Sequence, residues 1–178
     1  MTIKQIRLDT FIDVNEIRDQ GRIAVEVQAN AAECAALAER CDILAVDNLT
    51  ARLTLTSSKG SDLVKIQVKL DATIDQACIV TLGPVKEEIH ENYTEVHTTS
   101  EEALVAPDDV DGTEDQPIEL IENEKVDIKE LVAQWIVLSM DPFPRSADTP
   151  FYEHIEQKTN EEGTKTHTPF SVLEKLKK

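Results

Sequence analysis

Residues 22–75 switch twice between two hydrophobic periods. The stretch RIAVEVQ (22–28) sets Ile23, Val25 and Val27 on alternate positions, the two-residue period of a strand. NAAECAALAERC then turns alanine-rich, with Asn30 placed to cap a helix and Glu33 three residues on to complete a capping box. A helix there predicts a buried stripe of Cys34, Leu37, Ala38 and Cys41. Alternation returns at 49–56 and, after the turn SSKGSD, at 64–75, where Val64, Ile66, Val68, Leu70, Ala72 and Ile74 interleave with polar residues. One apolar and one wet face predict antiparallel pairing. Gly83-Pro84 marks the next turn, and 85–96 reads as a third, weaker strand with an exposed glutamate side.

A second helix is predicted from Asp127. That side chain caps it, Glu130 stands at the third position, and Val126 is placed to staple against Leu131. Its apolar stripe is Ile128, Leu131, Val132, Trp135 and Leu138, so the sole tryptophan reads as core packing. Pro142 and Pro144 in DPFPR forbid continuation and force an extended exit. Ahead of this helix, 98–116 forms an acidic loop predicted to be mobile. Residues 149–167 are polar and read as a linker. Thr168 as cap and Pro169 at the first helical position then predict a short, basic, amphipathic helix over 168–178. The expected fold class is α+β. One domain spans 1–148, a mainly antiparallel sheet with two packed helices, and the linker and terminal segment follow.

Composition sets the sign of the surface and removes most chemistry. The chain has 178 residues with 35 acidic and 18 basic side chains, a net charge of −17. Such a surface repels nucleic acid and anionic membranes and attracts basic partners. The charge is uneven. Residues 101–124 hold ten carboxylates and no Lys or Arg, whereas TKTHTPFSVLEKLKK (164–178) holds four lysines against one glutamate. The opening MTIKQIRLDTF alternates instead of forming a secretory leader, and the longest apolar run falls short of the roughly 20 residues of a membrane span. Cys34 and Cys41 would lie about 10.5 Å apart along their helix, beyond disulfide reach. A cytoplasmic protein with reduced thiols is expected. No HExxH, Walker-type loop, GxSxG, RNP-like strand or zinc-knuckle spacing occurs. Counting back from Gly112 puts Pro107 at the first ligand position of a calcium loop. His90 and His97, seven apart on a strand, should face opposite ways. No enzyme, cofactor or metal is expected.

Three stretches then point to a family. DATIDQACIVTLGPV is a strand running into a cysteine-bearing turn. PIELIENEKVDIKELVAQWIVLSMDPFPR joins an acidic segment, a helix start, an apolar helix and a proline-rich exit. TPFSVLEKLKK ends the chain in proline, phenylalanine, leucine and lysines. In this order and spacing they resemble the YceD family, the large ribosomal RNA subunit accumulation proteins of bacteria and plastids. AALAERCDILAVDNLTARLTL, with the DPFPR exit, resembles its alphaproteobacterial branch. The resemblance implies a noncatalytic factor supporting accumulation or processing of large-subunit rRNA, with RNA association. Many members carry Cys-x-x-Cys at the turn. Here Cys78 is followed by Ile79, Val80 and Thr81, so no metal is carried over, because one thiolate does not hold a tetrahedral zinc. Gln134 stands where the family helix often has an acidic residue.

Two modes of action are open at this point. Direct rRNA contact would use Phe143 as a stacking face, Arg145 as a planar cation, and Lys175, Lys177 and Lys178 on phosphates. The bland alternative for the exit has Phe143 packed under the sheet and Arg145 paired with a carboxylate. Holding a basic ribosomal protein would use Glu101, Glu102, Asp108, Asp109, Asp111, Glu114 and Asp115. Expected partners are thus large-subunit rRNA or a pre-ribosomal particle, or a basic ribosomal protein, with neither membrane nor DNA. A general protein–protein interaction module with no ribosomal role is the remaining alternative.

Overall fold

The computed structural model describes residues 3–104 and 118–147. Two short strands, β1 (Lys4–Ile6) and β2 (Phe11–Asp13), lead into helix α1 (Val14–Gln20). Next come β3 (Arg22–Gln28), α2 (Ala31–Cys41) and three long strands, β4 (Ala45–Thr56), β5 (Leu63–Ala77) and β6 (Pro84–Thr98). After these stand β7 (Ile118–Leu120), β8 (Lys125–Asp127) and α3 (Ile128–Ser139). Six strands form one sheet in the order β1-β3-β4-β5-β6-β7, while β2 and β8 pair separately. The central ladders are antiparallel, but β1 runs parallel to β3 and β7 parallel to β6. The fold is α+β with a mixed, mostly antiparallel sheet.

Local chemistry explains the helix starts. Asn30 accepts the N–H groups of Ala32 and Glu33, and the Glu33 carboxylate accepts the Asn30 N–H, which completes the expected capping box. Asp127 caps α3 by accepting from Lys129 and Glu130. One face of the sheet, including Val25, Leu53, Leu55, Ile66, Leu70 and Ile74, is buried in a single core with Leu37 and Cys41 of α2 and Ile128, Val132 and Ile136 of α3. The opposite face is wet and laced with cross-strand ion pairs such as Arg52–Glu26.

Several expectations need correction. The described residues hold three α-helices where two packed helices were expected, and the short helix expected over 168–178 lies outside them. VNEIRDQ offers only Val14 and Ile17 as apolar residues, too few for a helical period to stand out. Asp13 nevertheless caps α1 by accepting the Asn15 N–H at 2.8 Å, and Gly21 ends it with a left-handed φ of 72°. β6 is no minor strand, since it pairs with β5 over all 15 of its residues. Residue 98 does not begin a loop: Thr98 is buried in β6, and Glu101 and Glu102 sit in a 3-10 turn, Glu101–Leu104. Leu138 is 64% exposed. Ile136 takes the buried position of that last turn, and two residues onward rotate about 200° around the helix. Asp108, Asp109, Asp111, Glu114, Asp115, the 149–167 linker, and Lys175, Lys177 and Lys178 lie outside the described residues.

Candidate functional site

After Ser139 the chain leaves α3 as its prolines demand, yet it is pinned at every step. Gln76 Nε2 donates to the Asp141 carbonyl at 3.1 Å, and the Asp141 N–H donates to the Glu87 carboxylate at 3.1 and 3.2 Å. Asp141 Oδ1 accepts the Phe143 N–H at 2.8 Å, an Asx turn. The Ile79 N–H donates to the Pro144 carbonyl at 2.9 Å, and the Ser146 N–H to Cys78 Sγ at 3.4 Å. Pro144 is buried, whereas Phe143 is 67% exposed and Arg145 is exposed without an ion pair among the described residues. A fixed turn therefore presents a ring and a guanidinium to solvent. It is anchored to the β5–β6 hairpin tip, which carries the exposed Ile79, Val80 and Leu82.

Cys78 helps to hold this turn. It is buried, and the Thr81 hydroxyl, then the N–H groups of Ser146, Thr81 and Val80, lower its thiol from an ordinary 9.0 to about 6 against the opposing effect of burial. Cys34 and Cys41 on α2 move the other way, raised first of all by burial. The turn cysteine thus acts as a hydrogen-bond acceptor that ties the hairpin to the α3 exit. Among the described residues no group of three or more His, Cys, Asp or Glu is placed to hold a metal ion.

The second region is the outer edge of β6. β7 pairs only with 96–98, so among the described residues 84–95 has β5 on one side and no strand on the other. Glu87, Ile89, Glu91, Tyr93, Glu95 and His97 alternate along its helix-facing side. Tyr93 stacks on Trp135 of α3, with ring centroids 3.7 Å apart and planes 15° from parallel. Its hydroxyl lies 2.6 Å from Ser139 Oγ. Trp135 Nε1 donates to Glu95 Oε1 at 3.3 Å. His97, only 8% exposed, places Nε2 3.1 Å from the same oxygen but without the alignment of a hydrogen bond. Beside it opens a cavity of about 290 Å³, lined by Glu119, Glu122, Asp127 and Glu130 among others. His90 points the opposite way and is exposed, as the seven-residue spacing requires.

Sequence reasoning put Trp135 in the core, and it is half-buried against that core. What it missed is that the glutamates of 85–95 line an edge with no strand beside it among the described residues. Their frequency was visible in the sequence, but the absence of a neighbouring strand was not.

Both regions fall within the span that decides the family. The family model described as large ribosomal RNA subunit accumulation protein YceD matches residues 66–177, more than half of the chain. The chain belongs to the YceD family. No curated protein and no solved structure matches significantly. YceD-family proteins are noncatalytic, so the surfaces above are to be read for binding. The matched YceD span starts inside β5 and takes in β6 and α3, while β1 to β4, α1 and α2 precede it. No helix among the described residues is long and apolar enough to cross a membrane.

Proposed function

We propose that the chain is a noncatalytic ribosome-assembly factor that supports accumulation of large-subunit rRNA, touching it through the pinned exit of α3. The observation that carries this reading is the exposed pair Phe143 and Arg145 on a turn held by hydrogen bonds to Gln76, Cys78, Ile79 and Glu87. A fixed ring and guanidinium lose little freedom on binding, and stacking on one base is worth about 1–3 kcal/mol. The planar cation meets phosphate in a two-point contact. Lys175, Lys177 and Lys178 extend the contact, each neutralised phosphate adding about one unit to the salt slope. The overall charge of −17 leaves room for this, because screening limits repulsion to about 10 Å in ordinary salt.

Zero-length ultraviolet crosslinking of the tagged protein in growing cells, with sequencing of attached RNA, tests the reading. Crosslinks should cluster in large-subunit rRNA and map to Phe143, Arg145 or the terminal lysines. They should drop in the Phe143→Ala, Arg145→Ala double variant. Recovery of no rRNA, with a basic ribosomal protein enriched in its place, would reject direct contact. A second reading is favoured by the glutamate-lined edge of β6: the chain holds a basic ribosomal protein until rRNA takes it. Glu101, Glu102 and the carboxylates of Asp108, Asp109, Asp111, Glu114 and Asp115 add to the attraction. The two readings use different surfaces.

A further inference from the structure

We propose that the edge of β6, open over 84–95 among the described residues, is a docking strand for an extended, lysine- or arginine-rich segment of a protein partner, added to the sheet beside α3. This rests on the second reading above, and it names both the surface and the sequence pattern that surface accepts. A strand edge presents a row of N–H and C=O groups that another chain can complete. Over 84–95 the edge carries Glu87, Glu88, Glu91 and Glu95 against a single lysine, and Asp47 and Asp75 already hold that Lys86. Pairing with a second copy would set carboxylate close to carboxylate, which is destabilising in a ladder. A basic strand meets the opposite sign at the same positions.

The helix beside the edge fixes the alternation. Trp135 and Leu138 are three residues apart and so share one side of α3, and the Tyr93–Trp135 stack turns that side toward β6. Leu138 is uncovered there and gives apolar side chains of an added strand a footing. On the helix-facing side, the added residues would stand opposite Glu87, Ile89, Glu91 and Tyr93 in turn. Taking every second residue, the accepted pattern is basic, apolar, basic, apolar. Glu87 already accepts the Asp141 N–H and Glu95 accepts from Trp135, whereas Glu91 has no bond among the described residues. Glu91 is the principal charge contact.

Trp135 is the only tryptophan, so the full chain reports on its own groove. A synthetic peptide with Lys-apolar-Lys-apolar at every second position and threonines between them serves as the probe. Binding should shift Trp135 emission saturably, slow amide exchange over 84–95, and weaken about tenfold on Glu91→Lys. The urea midpoint of that variant should match the parent, which excludes misfolding as the cause. N-methylation of the peptide residues whose N–H groups face β6 should abolish binding, while N-methylation of the intervening residues should not. Binding indifferent to both methylation patterns, or unchanged exchange over 84–95 in the bound state, overturns the proposal. Tighter binding of a peptide copy of 168–178, or dimers of the chain formed through this edge, also overturns it by naming another occupant. The two readings fail separately. Normal rRNA levels in cells lacking the chain would reject the ribosomal role and leave the peptide result standing, whereas a silent peptide titration leaves that role untouched.

Discussion

β5 and β6 are each 15 residues long and pair with one another from end to end, yet chemically they are opposites. Every second residue of β5 from Val64 to Gln76 is buried, whereas β6 buries only Ile89 and its last three residues. Leu70 and Glu91 are register partners on one face, the first wholly buried and the second exposed. Backbone pairing cannot be the cause, because the two share it. The flanks differ: β5 lies between two long strands under the helices, while β6 meets α3 mainly through Tyr93 and Glu95. A ladder satisfies the backbone, but burial needs a further strand and a roof. An edge strand can therefore carry charge and a docking function at little cost to the fold.

The largest effect should come from the register pair itself. Leu70→Ala should cost about 2–5 kcal/mol in urea unfolding, the range for a truncated core aliphatic. Glu91→Ala, directly across the ladder, should fall within about 0.5 kcal/mol of the parent. Comparable losses for both would break the contrast, for the edge would then be part of the core. Trp135→Ala should fall between them, near 2 kcal/mol, about half the cost of a fully buried tryptophan. A double-mutant cycle with Tyr93→Leu should return a coupling of about 1 kcal/mol, since the rings stack. Strict additivity would mean that the stack adds nothing beyond area.

How legible these regions were in the sequence follows from the same contrast. The alternation of β5, the capping box at Asn30 and Glu33, and the buried stripe of α2 are periodic or local, and they were readable directly. α1 was not, because seven residues with two apolar positions carry no period. Leu138 had the right period and the wrong neighbour, for nothing lies over α3 at that point among the described residues. The Phe143 turn was foreseeable as a stop, and its display as one of two alternatives, but its anchors were not, because they come from Gln76, Cys78 and Glu87, more than fifty residues earlier. That no strand flanks 84–95 of β6 on its outer side among the described residues is a matter of topology, and glutamates alone could not reveal it.

At the tip where β5 gives way to β6, a smaller effect depends on pH. Absorbance at 240 nm should show one thiolate appearing near pH 6, lost in Cys78→Ser, with Cys34 and Cys41 titrating above 9.0. A folded value below the unfolded one means stabilisation that is full above pH 9.0 and falls away as pH drops through about 6. The urea midpoint of the parent relative to Cys78→Ser should accordingly rise across that window. A flat difference would show that the hydrogen bonds to Sγ do not favour the anion.

The smallest expected effect lies on the wet face, where the two strands cooperate. His90 of β6 stands opposite Asp71 of β5, with Nδ1 2.9 Å from Oδ1. The Asp71 hydrogen bond raises the His90 pKa above 6.5, and the His90 hydrogen bond lowers that of Asp71 below 3.8. For the raised histidine, stability is present below 6.5 and is lost as pH rises through its folded value. For the lowered aspartate, it is present above 3.8 and is lost as pH falls through its folded value. The pair should therefore contribute most at about pH 5, and little in absolute terms because both groups are solvated. Asp71→Asn should return the His90 ring signals in an NMR titration toward 6.5, and its stability deficit should shrink as pH rises through the folded value of His90. Should His90 titrate at 6.5 in the parent chain, no charge coupling crosses the ladder there, and β5 and β6 differ on both faces instead of one.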